Sequence, residues 1–111
     1  KKNRPSLEYS VKDLFEVKPS YTDPKSNIVQ TVEDSISEIL GVKPEYVVSP
    51  GSYDQKHIDR IGKLKNCIAY GPGILELAHQ PDEFILISDM LDSAKIMAMT
   101  ISKLLNEDVI N

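Results

Sequence analysis

The sequence predicts an α/β fold, specifically a partial three-layer sandwich in which a short mixed or parallel sheet is flanked by helices. Two observations carry this prediction. Apolar residues recur at helical spacing in segments 24–40 and 88–105, as on the buried face of a helix. Between these segments, three short apolar runs (46–48, 67–70 and 84–87) lie beside turn residues, as buried strands do. Helices that alternate with strands are typical of α/β domains.

In the first half of the chain, an approximate alternation of apolar and polar residues is followed by the helix that the sequence predicts most clearly. Apolar residues at alternate positions in 1–21 predict one or two strands with one wet face. Asp23 is the expected N-cap of the following helix, with Pro24 at its first position. Gly41 is expected to end this helix, because glycine adopts the positive φ of a helix C-terminus without strain.

The second half predicts a short helix, two strands and a long closing helix. Residues 54–61 have the length of two helical turns, and Gly62 is expected to end them as Gly41 ends the first helix. The runs 67–70 and 84–87 are the expected strands. Ser88 and Asp89 are expected to cap the final helix. Its apolar stripe is predicted to be Leu91, Ala94, Met97, Ile101, Leu104 and Leu105, with Met90 and Ile96 near its edges.

Composition and charge exclude several classes of protein. The 111 residues allow one domain at most, and 13 Lys and Arg against 17 Asp and Glu give a net charge of −4. This acidic balance argues against nucleic acid as the main partner. The longest largely apolar stretch without a charge, 66–75, is too short to cross a bilayer. A single cysteine, Cys67, cannot form an internal disulfide, so we expect a soluble cytoplasmic protein.

Three polar loops that follow apolar runs form the candidate site, because ligands of α/β proteins bind beyond the carboxyl ends of strands. They comprise residues 49–54, 71–73 and 78–83. His79 has the greatest chemical range, since imidazole serves both as a metal ligand and as a general base. Asp82 and Glu83 are spaced to orient it or to cap nearby backbone. On the residues alone, a purely structural turn at 71–73 and a merely solvated His79 stay open.

The remaining reactive side chains are expected to be structural. His57 has charged neighbours and is expected on a solvated helix face. Cys67 lies in an apolar run, where an inert buried thiol is the simpler interpretation than a nucleophile. Met90, Met97 and Met99 recur at helical spacing and are expected to fill the core.

The order of these loops is more specific than any one of them. Residues 50–58 read PGSYDQKHI, residues 68–73 read IAYGPG and residues 78–84 read AHQPDEF, before a long closing helix. This order resembles the C-terminal end of the zinc-dependent acetylornithine deacetylase and succinyl-diaminopimelate desuccinylase family, which also contains aminoacylases and exopeptidases. That family has a glycine-rich turn ending in aspartate, then Gly-Pro-Gly, then Ala-His-x-x-Asp-Glu. Residues 21–26 look like its linker into the catalytic domain.

The resemblance implies a role for each candidate residue. His79 corresponds to a ligand of one zinc in a two-metal amidohydrolase site, which cobalt or manganese could also occupy. Residues expected to bind substrate are Gly51, Ser52, Lys56 and Gly71, with Lys56 where the family often has arginine. Residues expected to hold the loops or orient the metal ligand are Asp54, Asp82 and Glu83.

The resemblance also implies that this chain is the final piece of a larger enzyme. The family's Glu-Glu pair has no counterpart in residues 1–78, and the one His-x-Asp there, at 57–59, directly follows the glycine-rich turn instead of lying in an N-terminal half, so no catalytic residue is assigned here. Residues 1–20 are expected to be the tail of an inserted lid domain used for dimerisation, and residues 21–111 the C-terminal part of the catalytic domain. The start at Lys1 rather than methionine suggests a removed upstream segment.

The expected protein is therefore a homo-oligomeric amidohydrolase that cleaves an N-acyl amino acid or small peptide amide. It would require its N-terminal half for activity. The alternative is a non-catalytic α/β module for binding or dimerisation.

Overall fold

The structure, a computed structural model, describes residues 8–49, 51 and 53–110, and this part of the chain forms three α-helices and one 3₁₀ turn. Helix α1 spans Asn27–Leu40, α2 spans Gln55–Arg60 and α3 spans Ile87–Ile110, while the 3₁₀ turn is Leu75–Leu77. The three helices predicted from the sequence are confirmed, although their boundaries differ by a few residues.

The predicted sheet, and with it the α/β sandwich, is wrong. No residue within the described ranges is in a strand, and the runs 46–48, 67–70 and 84–86 are irregular. Residues 8–21 are irregular as well, and 1–7 lie outside the described residues. A strand needs a neighbour that takes up its backbone N–H and C=O groups. In the described part of the chain, no backbone hydrogen bond joins one of these runs to another. In this part of the chain, the apolar runs therefore have no neighbouring strand with which to form a sheet.

Helix α1 begins later than predicted because Asp23 stabilises a turn instead of capping the helix. The Asp23 carboxylate accepts the backbone N–H of Lys25 at 2.9 Å, and the Asp23 carbonyl accepts that of Ser26 at 2.9 Å. Ser26 therefore occupies the N-cap position. At the other end, Gly41 has a φ of 69° and donates its N–H to the Ser37 carbonyl. The predicted glycine stop of α1 is confirmed.

Helix α2 ends at the predicted place but for a different reason. The left-handed residue is Lys63, with φ 58°, and Gly62 does not have a positive φ. A Cβ atom on Gly62 would lie only 2.7 Å from the carbonyl oxygen of Ile58. Glycine is required at position 62 because the chain passes close to the end of α2 and leaves no room for a side chain. Two residues later, the Leu64 N–H donates to the Ile58 carbonyl at 3.3 Å.

The core of the described chain is the seam between α1 and α3, the one pair of elements in it that packs together. Its buried residues are Val29, Thr31, Ser35 and Ile36 from α1, and Ser93, Ile96 and Thr100 from α3. Ile96 is only 1% exposed. The Ser35 hydroxyl donates to the Thr31 carbonyl, and the Thr31 hydroxyl to the Asn27 carbonyl, both at 2.8 Å. On the α1 side these small side chains satisfy their own hydroxyls within the helix and let α3 approach closely. The buried Thr100 hydroxyl of α3, by contrast, has no hydrogen-bond partner among the described residues.

The apolar stripe predicted to face the core from α3 points elsewhere. Leu91, Met97, Ile101 and Leu105 are each at least half exposed, and Leu104 is half-buried. The prediction that the centre of this stripe packs in the core is wrong, because the packed face of α3 consists of Ile96, at the edge of the predicted stripe, with the smaller Ser93 and Thr100. Helix α3 thus leaves several large apolar side chains exposed.

The described chain is open rather than compact. Its Cα radius of gyration is 19.6 Å, whereas a compact chain of this length would have a radius near ~13 Å. Val48, at 97% exposed, illustrates how little of the segment between α1 and α2 is covered. None of the described helices is long and apolar enough to cross a membrane.

Candidate functional site

The loop that carries His79 is built from overlapping turns that start at the 3₁₀ turn Leu75–Leu77. The backbone N–H groups of Leu77, Ala78 and Gln80 donate to the carbonyls three residues earlier, over 3.0 to 3.1 Å. The Glu83 N–H donates to the Gln80 carbonyl at 3.3 Å. Four backbone hydrogen bonds therefore define the course of a loop that lies at the surface.

Two residues of this loop adopt the left-handed backbone conformation. His79 has φ 64° and Asp82 has φ 62°. This conformation is disfavoured for residues with a Cβ atom, although histidine and aspartate adopt it more readily than most. Such residues persist where surrounding bonds hold them, and they are frequent at functional sites.

The Glu83 carboxylate supplies one of the bonds that hold His79. Its Oε2 atom accepts the backbone N–H of His79 at 3.1 Å. Of the expected site residues, His79 and Glu83 are thus brought into direct contact, but through the His79 backbone rather than its ring. His79 as a residue is exposed.

The described residues do not by themselves compose a metal site. Among them, no group of three or more His, Cys, Asp or Glu side chains is arranged to hold a metal ion. A catalytic zinc requires about three protein ligands. His79 is chemically suited to be one of them, because a neutral imidazole is a common zinc ligand.

The loop before α2 carries the first group of expected substrate-binding residues. The Gly51 N–H donates to the Ser49 hydroxyl at 3.1 Å, and that hydroxyl donates to the Tyr53 hydroxyl at 3.0 Å. Asp54 occupies the N-cap position of α2, where its backbone carbonyl accepts the His57 N–H at 2.8 Å and its side chain makes no capping hydrogen bond. Lys56 is half-buried in the first turn of α2. Ser52 lies outside the described residues.

The Gly-Pro-Gly turn contains two glycines with different requirements. Gly73 has φ 105°, a conformation that side chains rarely adopt, whereas Gly71 has no positive φ and a Cβ atom there would meet open space. Local geometry explains Gly73 but not Gly71.

A shallow groove of about 190 Å³ beside the turn is lined by Tyr70 and Gly73 and, from α3, by Asp89. In the described part of the chain, no hydrogen bond or ion pair joins this turn to the His79 loop.

A polar junction between distant segments was not predicted. The Thr22 hydroxyl lies within hydrogen-bond distance of the carbonyls of Lys65 and Cys67, and the Gln55 amide donates to the same Cys67 carbonyl. Beside it, Lys65 forms an ion pair with Asp59 and lowers the pKa of that carboxyl. Single polar residues far apart in sequence carry no periodic signal, so the residue pattern could not reveal this junction.

Comparison with known proteins identifies the lineage of the chain. The sequence model described as peptidase family M20/M25/M40 matches residues 5–103, which include all three candidate loops. A Pyrococcus abyssi protein named as a LysW-lysine/LysW-ornithine hydrolase is 32% identical over 99 residues, which cover 87% of this chain and 28% of that protein. The succinyl-diaminopimelate desuccinylase of Nitrosomonas eutropha is 29% identical over 106 residues, covering 96% of this chain and 27% of that enzyme.

These matches confirm the resemblance stated from the loop motifs. The chain spans little more than a quarter of the length of the curated relatives it matches. No solved structure matches it significantly. Because the family model covers almost the whole sequence, including the loop of His79, the chain belongs to peptidase family M20/M25/M40.

Proposed function

We propose that this chain is the C-terminal part of a metal-dependent amidohydrolase that cleaves an N-acetyl or N-succinyl amino acid or a small peptide amide. The observation that carries the proposal is the position of His79. It stands exposed on a loop held by its own hydrogen bonds, inside the span that matches the peptidase family. Relatives that match this chain are named as a desuccinylase and as a hydrolase of amino-acid conjugates, which supports the substrate class.

In this proposal, residues 21–111 belong to the catalytic domain and residues 1–20 to the tail of a lid domain. His79 contributes one imidazole to a zinc site, which cobalt or manganese could also fill, and the other ligands and the general base come from elsewhere in the full-length protein. Zinc bound there would polarise the scissile carbonyl and activate water. Asp54 and Asp82 hold their loops.

The substrate side of the proposed site uses backbone amides and one cation. Gly51 and Gly71 lie in loops, where backbone can approach a carboxylate closely. Ser52, which lies outside the described residues, is proposed to join them through its hydroxyl. Lys56 brings a positive charge to the first turn of α2, in a chain whose net charge is −4. An N-acyl amino acid carries the carboxylate that such a cation attracts. We also propose a cytoplasmic homo-oligomer, in line with its lone cysteine and the exposed apolar side chains of α3.

The test compares the two histidines of the chain. In the full-length protein loaded with zinc, His79→Ala is expected to abolish hydrolysis of N-acetyl and N-succinyl amino acids and to weaken zinc binding. His57→Ala is the matched control, because His57 is exposed on α2 and has no proposed ligand role. Full activity of His79→Ala would refute the proposal.

A second measurement separates catalysis from a purely binding role. The 111-residue chain alone is expected to hydrolyse none of these substrates, since it supplies only one of the proposed metal ligands, His79. A full-length protein that also hydrolyses none of them, while still binding a partner or a small acid, would favour the non-catalytic module.

A further inference from the structure

The hydrogen bonds of the His79 loop set one N–H group apart from its neighbours. The N–H groups of Leu77, Ala78, Gln80 and Glu83 all donate to backbone carbonyls. The His79 N–H, in the middle of this series, donates instead to a side chain, the carboxylate of Glu83 at 3.1 Å. The chain thus depends on one residue to satisfy the backbone at the proposed ligand.

That bond acts on the imidazole through the backbone. His79 has φ 64°, and the direction of its Cα–Cβ bond follows from this backbone conformation. Because the left-handed state is disfavoured for a residue with a Cβ atom, a His79 without its N–H partner would spend part of its time in other conformations. In those conformations the ring would leave the loop in another direction.

We infer that Glu83 is a positioning residue, whose carboxylate holds the His79 backbone so that the imidazole is presented to the metal in one direction. The inference rests on the proposed function, since it assigns Glu83 a role only if His79 is a ligand. Glu83 acts through His79 and itself makes no contact with metal or substrate in this role. Partners that orient a metal ligand typically change metal affinity by about 10- to 100-fold when they are removed.

The experiment uses three variants of the full-length protein. Glu83→Ala removes the acceptor, and Glu83→Gln removes the charge but keeps an oxygen that can accept the His79 N–H. Glu76→Ala is the matched control, because Glu76 is an exposed carboxylate in the adjacent 3₁₀ turn. Zinc affinity is measured by competition with a chromogenic chelator, and deuterium uptake of the segment 77–83 is measured by mass spectrometry on the metal-free protein.

The expected results separate a hydrogen bond from a charge effect. Glu83→Ala should weaken zinc binding by about 10-fold and speed deuterium uptake of segment 77–83. Glu83→Gln should retain most of both properties, and Glu76→Ala should match the wild type. The inference is overturned if Glu83→Ala leaves both properties unchanged, or if Glu83→Gln is as impaired as Glu83→Ala.

The failure of this inference can be told apart from the failure of the proposed function. His79→Ala with unchanged zinc affinity would remove the ligand role of His79 and with it the purpose assigned to Glu83. If His79→Ala weakens zinc binding but Glu83→Ala does not, the metal site stands and only the positioning role is lost.

Discussion

Gln55 donates a side-chain hydrogen bond to the Thr22 hydroxyl over 3.2 Å, although the two residues are 33 positions apart. Both also bond to the carbonyl of Cys67. The segment before α1, the first residue of α2 and the apolar run 67–70 are therefore tied together at one point. Among the described residues, this junction links segments that lie outside the α1–α3 seam.

Thr22→Val is expected to loosen this junction. The substitution keeps the shape of the side chain but removes the hydroxyl, so the carbonyls of Lys65 and Cys67 lose a donor. A buried or half-buried hydrogen bond of this kind contributes about 1 kcal/mol. Deuterium uptake of residues 65–69 should increase in Thr22→Val and stay near the wild-type rate in Thr22→Ser, which retains the hydroxyl. Equal uptake in all three proteins would contradict the junction.

Two adjacent residues of α3 test which face of the helix packs. Ile96 is 1% exposed on the seam with α1, whereas Met97 is 50% exposed. Ile96→Ala should lower the free energy of unfolding of the 111-residue chain by about 2–4 kcal/mol, and Met97→Ala by less than about 1 kcal/mol. Urea denaturation followed by circular dichroism measures both. A larger loss for Met97→Ala would mean that the apolar stripe predicted from the sequence is the packed face.

The contact between Tyr46 and Glu33 predicts a pH dependence at the segment that follows α1. The Tyr46 hydroxyl donates to the Glu33 carboxylate, and this bond, aided by Lys43 at 3.3 Å, lowers the pKa of Glu33 from its ordinary 4.5. Because the folded-state pKa is lowered, the contribution to stability is present above pH 4.5 and is lost as the pH falls through the lowered pKa.

The same bond raises the pKa of Tyr46 above its ordinary 10.0, so its contribution is present below that pH and is lost as the pH rises through the raised pKa. A carboxyl NMR titration should give Glu33 a higher pKa in Tyr46→Phe than in the wild type. Tyr21→Phe is the control, since Tyr21 is exposed and distant in sequence. An unchanged Glu33 pKa in Tyr46→Phe would show that the bond does not form in solution.

The two glycines of the Gly-Pro-Gly turn should respond differently to alanine. Gly73→Ala forces a side chain into φ 105° and should destabilise the turn, by about 1 kcal/mol or more. Gly71→Ala meets open space and should leave the melting temperature unchanged. If Gly71 lines the substrate site, as proposed, then Gly71→Ala should raise the KM of the full-length enzyme. Unchanged kinetics would remove Gly71 from the site.

Local signals in the sequence predicted the helices well. The spacing of apolar residues and the glycine at position 41 located α1 correctly. Both signals are local, because each depends only on residues that are a few positions apart in the sequence. The start of α1 was misplaced since Asp23 can bond either to a helix N-terminus or to a turn, and the sequence does not distinguish the two. The motif around His79 predicted the family, and the comparisons confirmed it. The individual roles of the site residues remain predictions.

Non-local features could not be predicted in the same way. An apolar run such as 67–70 becomes a strand only if the backbone of another segment forms hydrogen bonds with it. The residues of the run do not indicate whether such a segment is present. The packed face of α3 was misjudged for a related reason. Counting large apolar residues favours Leu91 and Ile101, whereas close approach of two helices depends on small residues such as Ser93 and Thr100.

The exposed apolar side chains of α3 have a practical consequence for handling this chain. A helix that shows Leu91, Ile101 and Leu105 to water offers the sort of surface that chaperones retain and that drives precipitation during expression. Yield of the chain made alone should therefore be poor. A mild detergent, which can cover exposed apolar side chains, should keep a larger share of the chain in solution.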